Sequence, residues 1–143
     1  MRRCISVFDN PKPNFSPREA SELLARDHGL VGELKELVSE RDQNFQVNTP
    51  SGGFVLKIAN TAEDLNFLAL QNLAMQHITA VDPGLGIQRL VPATDGRNMV
   101  AWRGHAVRVL TFLPGQLLSS ATITPELLGS LGAFMGHLSA ALQ

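Results

Sequence analysis

Residues 54–58 read "FVLKI", a run of β-favouring residues with a lysine in its interior. By the two-residue period of a strand, Phe54, Leu56 and Ile58 point one way while Val55 and Lys57 point the other. An ammonium inside a sheet loses several kcal/mol of hydration unless it meets an anion, a hydrogen-bonded acceptor or water. The run therefore constrains the fold in one of two ways. Either Lys57 lies on an edge strand and snorkels to solvent, or the sheet sets an acceptor such as a phosphate beside it.

The flanking residues place this strand. Phe45 and Val47 alternate with polar neighbours and "TPSGG" supplies a turn, so residues 44–59 predict a β-hairpin. Upstream, "SPRE" offers Ser16 as N-cap, Pro17 at the first helical position and Glu19 three beyond the cap. The helix it opens presents Leu23 and Leu24 and stops at Gly29. Between helix and hairpin, "LVGELKELV" sets Val31, Leu34 and Leu37 in a loose alternation that suits a strand, although its Glu and Lys content equally allows a short helix. After the hairpin, "TAED" reads as a second capping box with Thr61 as cap, opening a helix to about Thr79 with Leu65, Leu68, Met75 and Ile78 on its apolar stripe. Three β-like runs follow, "IQRLVPA", "NMVAW" and "HAVRVLTFL", separated by "TDG" and "RGH" turn signals. The last helix starts at "TPEL", with Thr124 as cap, and carries Leu127, Leu128, Leu131, Phe134, Met135, Leu138 and Leu142 on a face with no obvious partner left to pack on. This order predicts an α+β fold: an antiparallel sheet of about five strands with a helix inserted after the third.

At 143 residues the chain fits one domain able to bury a core without staples. A net charge of -1 leaves no electrostatic footprint for nucleic acid or anionic lipid, so the expected partner is a small molecule or another protein. The single cysteine, Cys4, excludes an internal disulfide, and no apolar run approaches a membrane span or a signal peptide, which makes the cytoplasm the default compartment. The histidines at 28, 77, 105 and 137 share no metal-ligand spacing, and Trp102 reads as packing. Residues 1–14, ending in "DNPKPN", read as a flexible lead-in, with order beginning near Phe15.

Five stretches in order, "SERDQNFQV", "FVLKIANTAED", "LQNLAMQHI", "VRVLTFLPGQLL" and "TPELLGSLGAFMGHLSAAL", resemble the aminoglycoside phosphotransferase and choline kinase-like superfamily. Within it the chain is most similar to the hydroxylysine kinase-like group and to the kinase-like domains fused to class III aminotransferase-type enzymes. The resemblance implies a protein-kinase-like N-terminal lobe over residues 15–113 and, over 114–143, a linker with the first helix of a truncated C-terminal lobe. It implies a cofactor, ATP or GTP with Mg2+, whose phosphates Lys57 would contact. The loop "SERDQN" would cover those phosphates without a glycine-rich pattern, leaving its backbone and the side chains of Ser39, Gln43 and Asn44 to cradle them. In "TFLPG" the Thr111 carbonyl and the Leu113 amide would meet the adenine edge, with Val55 and Leu110 lining the base pocket.

One position departs from the wider kinase pattern: the helix glutamate expected to pair with the lysine is Gln71 here, a neutral amide that can orient Lys57 but not compensate its charge. The family's catalytic and metal-binding aspartates belong to the second lobe, so none is expected in this chain. The expectation is the nucleotide-binding lobe of a kinase phosphorylating a hydroxyl of a small amine such as hydroxylysine. Its partner would be the remaining C-terminal lobe or a fused or associated class III aminotransferase-like domain. The alternative is a non-catalytic nucleotide-sensing or protein-interaction module.

Overall fold

Helix α1 (Pro17–His28) begins where the capping box predicts it, with the Ser16 side chain accepting from the Glu19 amide and the Glu19 carboxylate accepting from the Ser16 amide. It ends on Gly29 in the left-handed region at φ 63°, a conformation glycine adopts without penalty. The computed structural model describes residues 10–143, so Cys4 and most of the predicted lead-in lie outside the described residues. Residues 10–14 precede α1 with Pro13 already buried, and the buried Asn60 donates to the carbonyls of Asn10 and Pro11 at 3.4 and 3.2 Å. Packing thus begins ahead of the expected Phe15.

The chain continues through β1 (Glu33–Leu37), β2 (Gln43–Thr49), β3 (Gly52–Ile58), α2 (Leu65–Val81), β4 (Leu90–Val91), β5 (Val100–Trp102), β6 (His105–Thr111), a 3-10 turn at Leu118–Ser120 and α3 (Pro125–Ala141). All strands pair antiparallel in one sheet of order β1-β2-β3-β6-β4, with β5 also on β6. The sheet has six strands, in line with the about five expected, and the short β4 and β5 each pair with a different half of β6. The stretch left open between strand and helix is the edge strand β1.

One face of the sheet carries the main core. Ala20, Leu23 and Leu24 of α1 pack on Phe45, Val47, Leu56, Ile58, Val107 and Val109, the inward set that period-two alternation selects from β2, β3 and β6. Phe15 closes the end of this core, stacked on Trp102 at 4.1 Å with the His105 ring edge-on at 5.3 Å. Arg103, at φ 47°, turns the β5–β6 hairpin and spreads its guanidinium over Phe15 and Trp102 while donating to Glu19 at 2.6 Å. The α1 capping box is therefore tied to a hairpin far along the chain.

Three expectations about the helices are corrected. The cap of α2 is Asp64, whose side chain accepts from the Asn66 amide at 2.8 Å, and not Thr61. The Glu63 amide that a Thr61 cap would take is already bonded to the Asn60 carbonyl, so residues 61–63 form a turn instead. The α2 stripe is also shifted: Leu68, Asn72 and Ile78 are buried, whereas Leu65 is 57% exposed. Helix α3 does find a partner, since Phe134, Leu138 and Ala141 pack with Ile78, Leu85 and Ile87, while Leu128, Leu131, Met135 and Leu142 stay exposed.

Where the chain enters β1, a Cβ on Gly32 would stand 2.1 Å from the Asn48 carbonyl oxygen. Because that atom is backbone of the paired strand, Gly32→Ala is expected to cost about 1–3 kcal/mol, read as a lower denaturant midpoint. The Ser16 amide, then Arg103 and the Ser16 hydroxyl, hold the Glu19 carboxyl down from 4.5 to about 2. A lowered carboxylate pKa contributes stability above the unfolded value that is lost as pH falls through the folded one. Glu19→Gln should accordingly flatten the fall in melting temperature between pH 4.5 and 2.

Candidate functional site

The opposite face of the sheet carries polar side chains in its middle. Register places Asn44 of β2, Lys57 of β3 and Arg108 of β6 side by side in one row across three strands. With β2 on one side and β6 on the other, β3 is an interior strand, so the edge-strand alternative for Lys57 does not hold. The row forms the floor of a cleft of about 320 Å³, roofed by α2 and flanked by the β1–β2 loop.

Of the residues singled out from the sequence, Ser39, Asn44, Lys57 and Gln71 line this one cleft. Gln43 does not join them. It is 1% exposed on the core face, where its side-chain oxygen accepts from the Phe15 amide at 2.8 Å and its nitrogen donates to the Phe15 carbonyl at 2.9 Å. It pins the approach to α1, the role of a strand partner played by a side chain. Val55 and Leu110 face each other across β3 and β6, both buried, and neither lines the cleft. Leu113 lies beyond the end of β6 and is 44% exposed. The Thr111 carbonyl expected at an adenine edge accepts from Gln88 at 3.2 Å, and its amide and hydroxyl bond the Arg89 backbone.

The electrostatics centre on two adjacent cations. Arg108 is only 4% exposed and donates to Asn72 Oδ1 at 3.0 Å, Gln71 Oε1 at 3.0 Å and the Leu68 carbonyl at 3.4 Å. All three acceptors are neutral. Gln71 therefore holds Arg108, and no hydrogen bond joins it to Lys57 as expected. Among the described residues no carboxylate lies within 4.0 Å of either cation. Burial pushes the Lys57 ammonium below its usual pKa, with Asp42 working against that and Arg108 adding to it. Arg108 is lowered too, by burial, against the more distant Asp42 and Glu63.

The loop beside these cations is fastened without glycine. Ser39 Oγ donates to the Asp42 carbonyl, and Asp42 Oδ1 accepts from the Asn60 amide at 3.0 Å. Asn60, 3% exposed, also donates to the Arg41 carbonyl at 3.3 Å and accepts from the Ala62 amide at 3.0 Å, while Arg41 pairs with Glu63 at 3.1 Å. The loop is thereby joined to the start of α2. Arg108, Asn72 and Asn60 were missed in the sequence. "HAVRVL" repeats the pattern of "FVLKI", a cation inside an apolar strand, and that signal would have found Arg108.

Two cations without a carboxylate within 4.0 Å among the described residues fit a phosphate group. The donor set suits the phosphates better than a metal: no group of three or more His, Cys, Asp or Glu among the described residues could hold an ion. None of the helices described is long and apolar enough to cross a membrane.

The model of the phosphotransferase enzyme family matches residues 33–143. Hydroxylysine kinase of Danio rerio is 32% identical over 143 residues, covering 92% of this chain and 40% of that protein. Hydroxylysine kinase of Xenopus laevis is 28% identical, covering 94% of this chain and again 40% of the relative. The chain thus spans about 40% of the length of the curated relatives it matches. In fold it is similar to an amicoumacin kinase in complex with AMP-PNP and Ca2+, with a TM-score of 0.74 at 14% identity over 89% of this chain and 40% of that one. It is also similar to a spectinomycin phosphotransferase in complex with ADP and spectinomycin, with a TM-score of 0.67 at 11% identity over 87% and 38%.

Replacing a buried, unpaired charge by an apolar side chain of similar length is neutral or stabilising. The lowered pKa of Lys57 means that its charged form disfavours folding below the shifted value, a cost that fades as pH rises from there and is gone above the ordinary lysine range. Lys57→Met should therefore raise the denaturant midpoint by an amount equivalent to about 1 kcal/mol at pH 7, with a smaller gain in strongly alkaline buffer.

Proposed function

The chain belongs to the phosphotransferase enzyme family, and from that premise we propose that it is the nucleotide-binding lobe of a small-molecule kinase. The observation that carries this reading is the Asn44–Lys57–Arg108 row, where two cations meet no carboxylate. When bound, ATP or GTP with Mg2+ supplies the phosphoryl group. The Lys57 ammonium would hold phosphate oxygens as a point charge, the Asn44 side-chain amide nitrogen would donate to them, and the β1–β2 loop with Ser39 would cover the site. Because the Thr111 carbonyl is engaged by Gln88, a base would depend more on Leu113 and on the apolar end of the sheet near Val55 and Leu110.

Similarity to the hydroxylysine kinases supports a hydroxyl of a small amine, such as hydroxylysine, as the acceptor. The groups that position that hydroxyl and hold the metal would come from a second lobe, or the lobe would work beside a class III aminotransferase-like domain. The reaction would run in the cytoplasm, where nucleoside triphosphates are available. A second reading, a non-catalytic nucleotide-sensing or interaction module, is favoured by the neutral Gln71 and by the exposed leucines of α3.

Calorimetric titration with Mg-ATP and Mg-GTP tests the nucleotide site. Binding of at least one, weakened about tenfold or more by Lys57→Ala, is the expected result. A folded chain that binds neither, or binds equally well after the substitution, would overturn it. A steady-state assay with hydroxylysine, using this lobe joined to the second one, separates kinase from sensor: turnover selects the first.

A further inference from the structure

The role usually sought in a lone strand lysine is shared here. We infer that Arg108 is a second phosphate-binding residue, forming with Lys57 a cation pair that grips a polyphosphate, and that Gln71 is a positioning residue whose neutrality keeps the pair open to anions. This rests on the nucleotide-lobe reading and specifies how its phosphate end works.

Like charges placed directly opposite on paired strands destabilise a sheet, yet register sets Lys57 and Arg108 in that relation on the cleft floor. A buried guanidinium is normally matched by a carboxylate. Arg108 instead meets two side-chain amides and one carbonyl, all neutral. Those three bonds occupy three of the five N–H donors of a guanidinium, so Nε–H and one hydrogen on Nη2 remain among the described residues. They belong to a side chain that lines the cleft beside Lys57. The α2 amides fix the guanidinium in place without neutralising it, and Asp42 and Glu63 act on it without an ion-pair contact. A single phosphate would satisfy one cation. Two adjacent cations on one row match successive phosphates of a nucleoside triphosphate or of an inorganic polyphosphate.

The substitution that separates this from a structural arginine is Gln71→Glu. It preserves size and the hydrogen bond to Arg108 while placing a carboxylate where the amide oxygen stands, 3.0 Å from Nη2. The probe is inorganic tripolyphosphate, free of metal and base, titrated calorimetrically into the full chain, with thermal melts to verify folding. The expected result is binding that Gln71→Glu weakens about tenfold at unchanged or higher melting temperature, and that Arg108→Lys weakens less. If Gln71→Glu binds within about twofold of the unsubstituted chain while Lys57→Ala loses binding, Arg108 is structural and the inference fails although the nucleotide site stands. If the folded, unsubstituted chain binds neither tripolyphosphate nor Mg-ATP, both fail together.

Discussion

The structure turns on a juxtaposition of like charges: the half-buried Lys57 and the buried Arg108, opposite one another on β3 and β6. Both β3 and β6 lie inside the sheet, so neither cation sits on an edge strand. The surroundings are arranged to hold these charges without cancelling them. Helix α2 reaches Arg108 through amides and a carbonyl, while two of the carboxylates lining the cleft are held by other groups, Glu63 by Arg41 and Asp42 by the Asn60 amide. A pair of cations with no carboxylate within 4.0 Å among the described residues, in a partly desolvated cleft, suits the phosphate contact proposed above.

Two buried amides fasten the segments around the cleft. Gln43 satisfies both backbone groups of Phe15, and Asn60 binds four backbone partners drawn from the 10–11 segment, the β1–β2 loop and the turn before α2. A fully bonded buried amide fixes the relative placement of every segment it touches, because leaving any of those groups unpaired would cost about 1–3 kcal/mol. The loop over the cleft is consequently part of the same hydrogen-bonded unit as α2, the helix that orients Arg108.

Much of this was legible in the chain, for local reasons. The Ser16–Glu19 box, the "TPSGG" turn and the alternation of "FVLKI" are decided within a few residues, and each produced its element where expected. Gln43 was legible too: it stands two residues before Phe45 and four before Val47, so parity alone assigns it to the core face. The family resemblance placed it in the loop and overrode that parity. The bond between Gln71 and Arg108 spans 37 positions, and its partners are set by how α2 lies across the sheet, which no local pattern encodes. The α2 cap was misplaced for a similar reason, since Asn60 competes for the turn through contacts as distant as Asn10.

Strand β6 pairs with β3, β4 and β5, so half of the sheet's strands meet on a segment that lies late in the chain, at 105–111. During synthesis the β2–β3 hairpin and α2 emerge first, and β3 stands as an open edge carrying Leu56 and Ile58 until β6 leaves the ribosome. In that interval the nascent chain offers an apolar strand with free backbone donors and acceptors to any neighbouring chain. The late strand that completes the Asn44–Lys57–Arg108 row is also the one that closes this window, which ties the assembly of the cleft to escape from misassociation at the same step of translation.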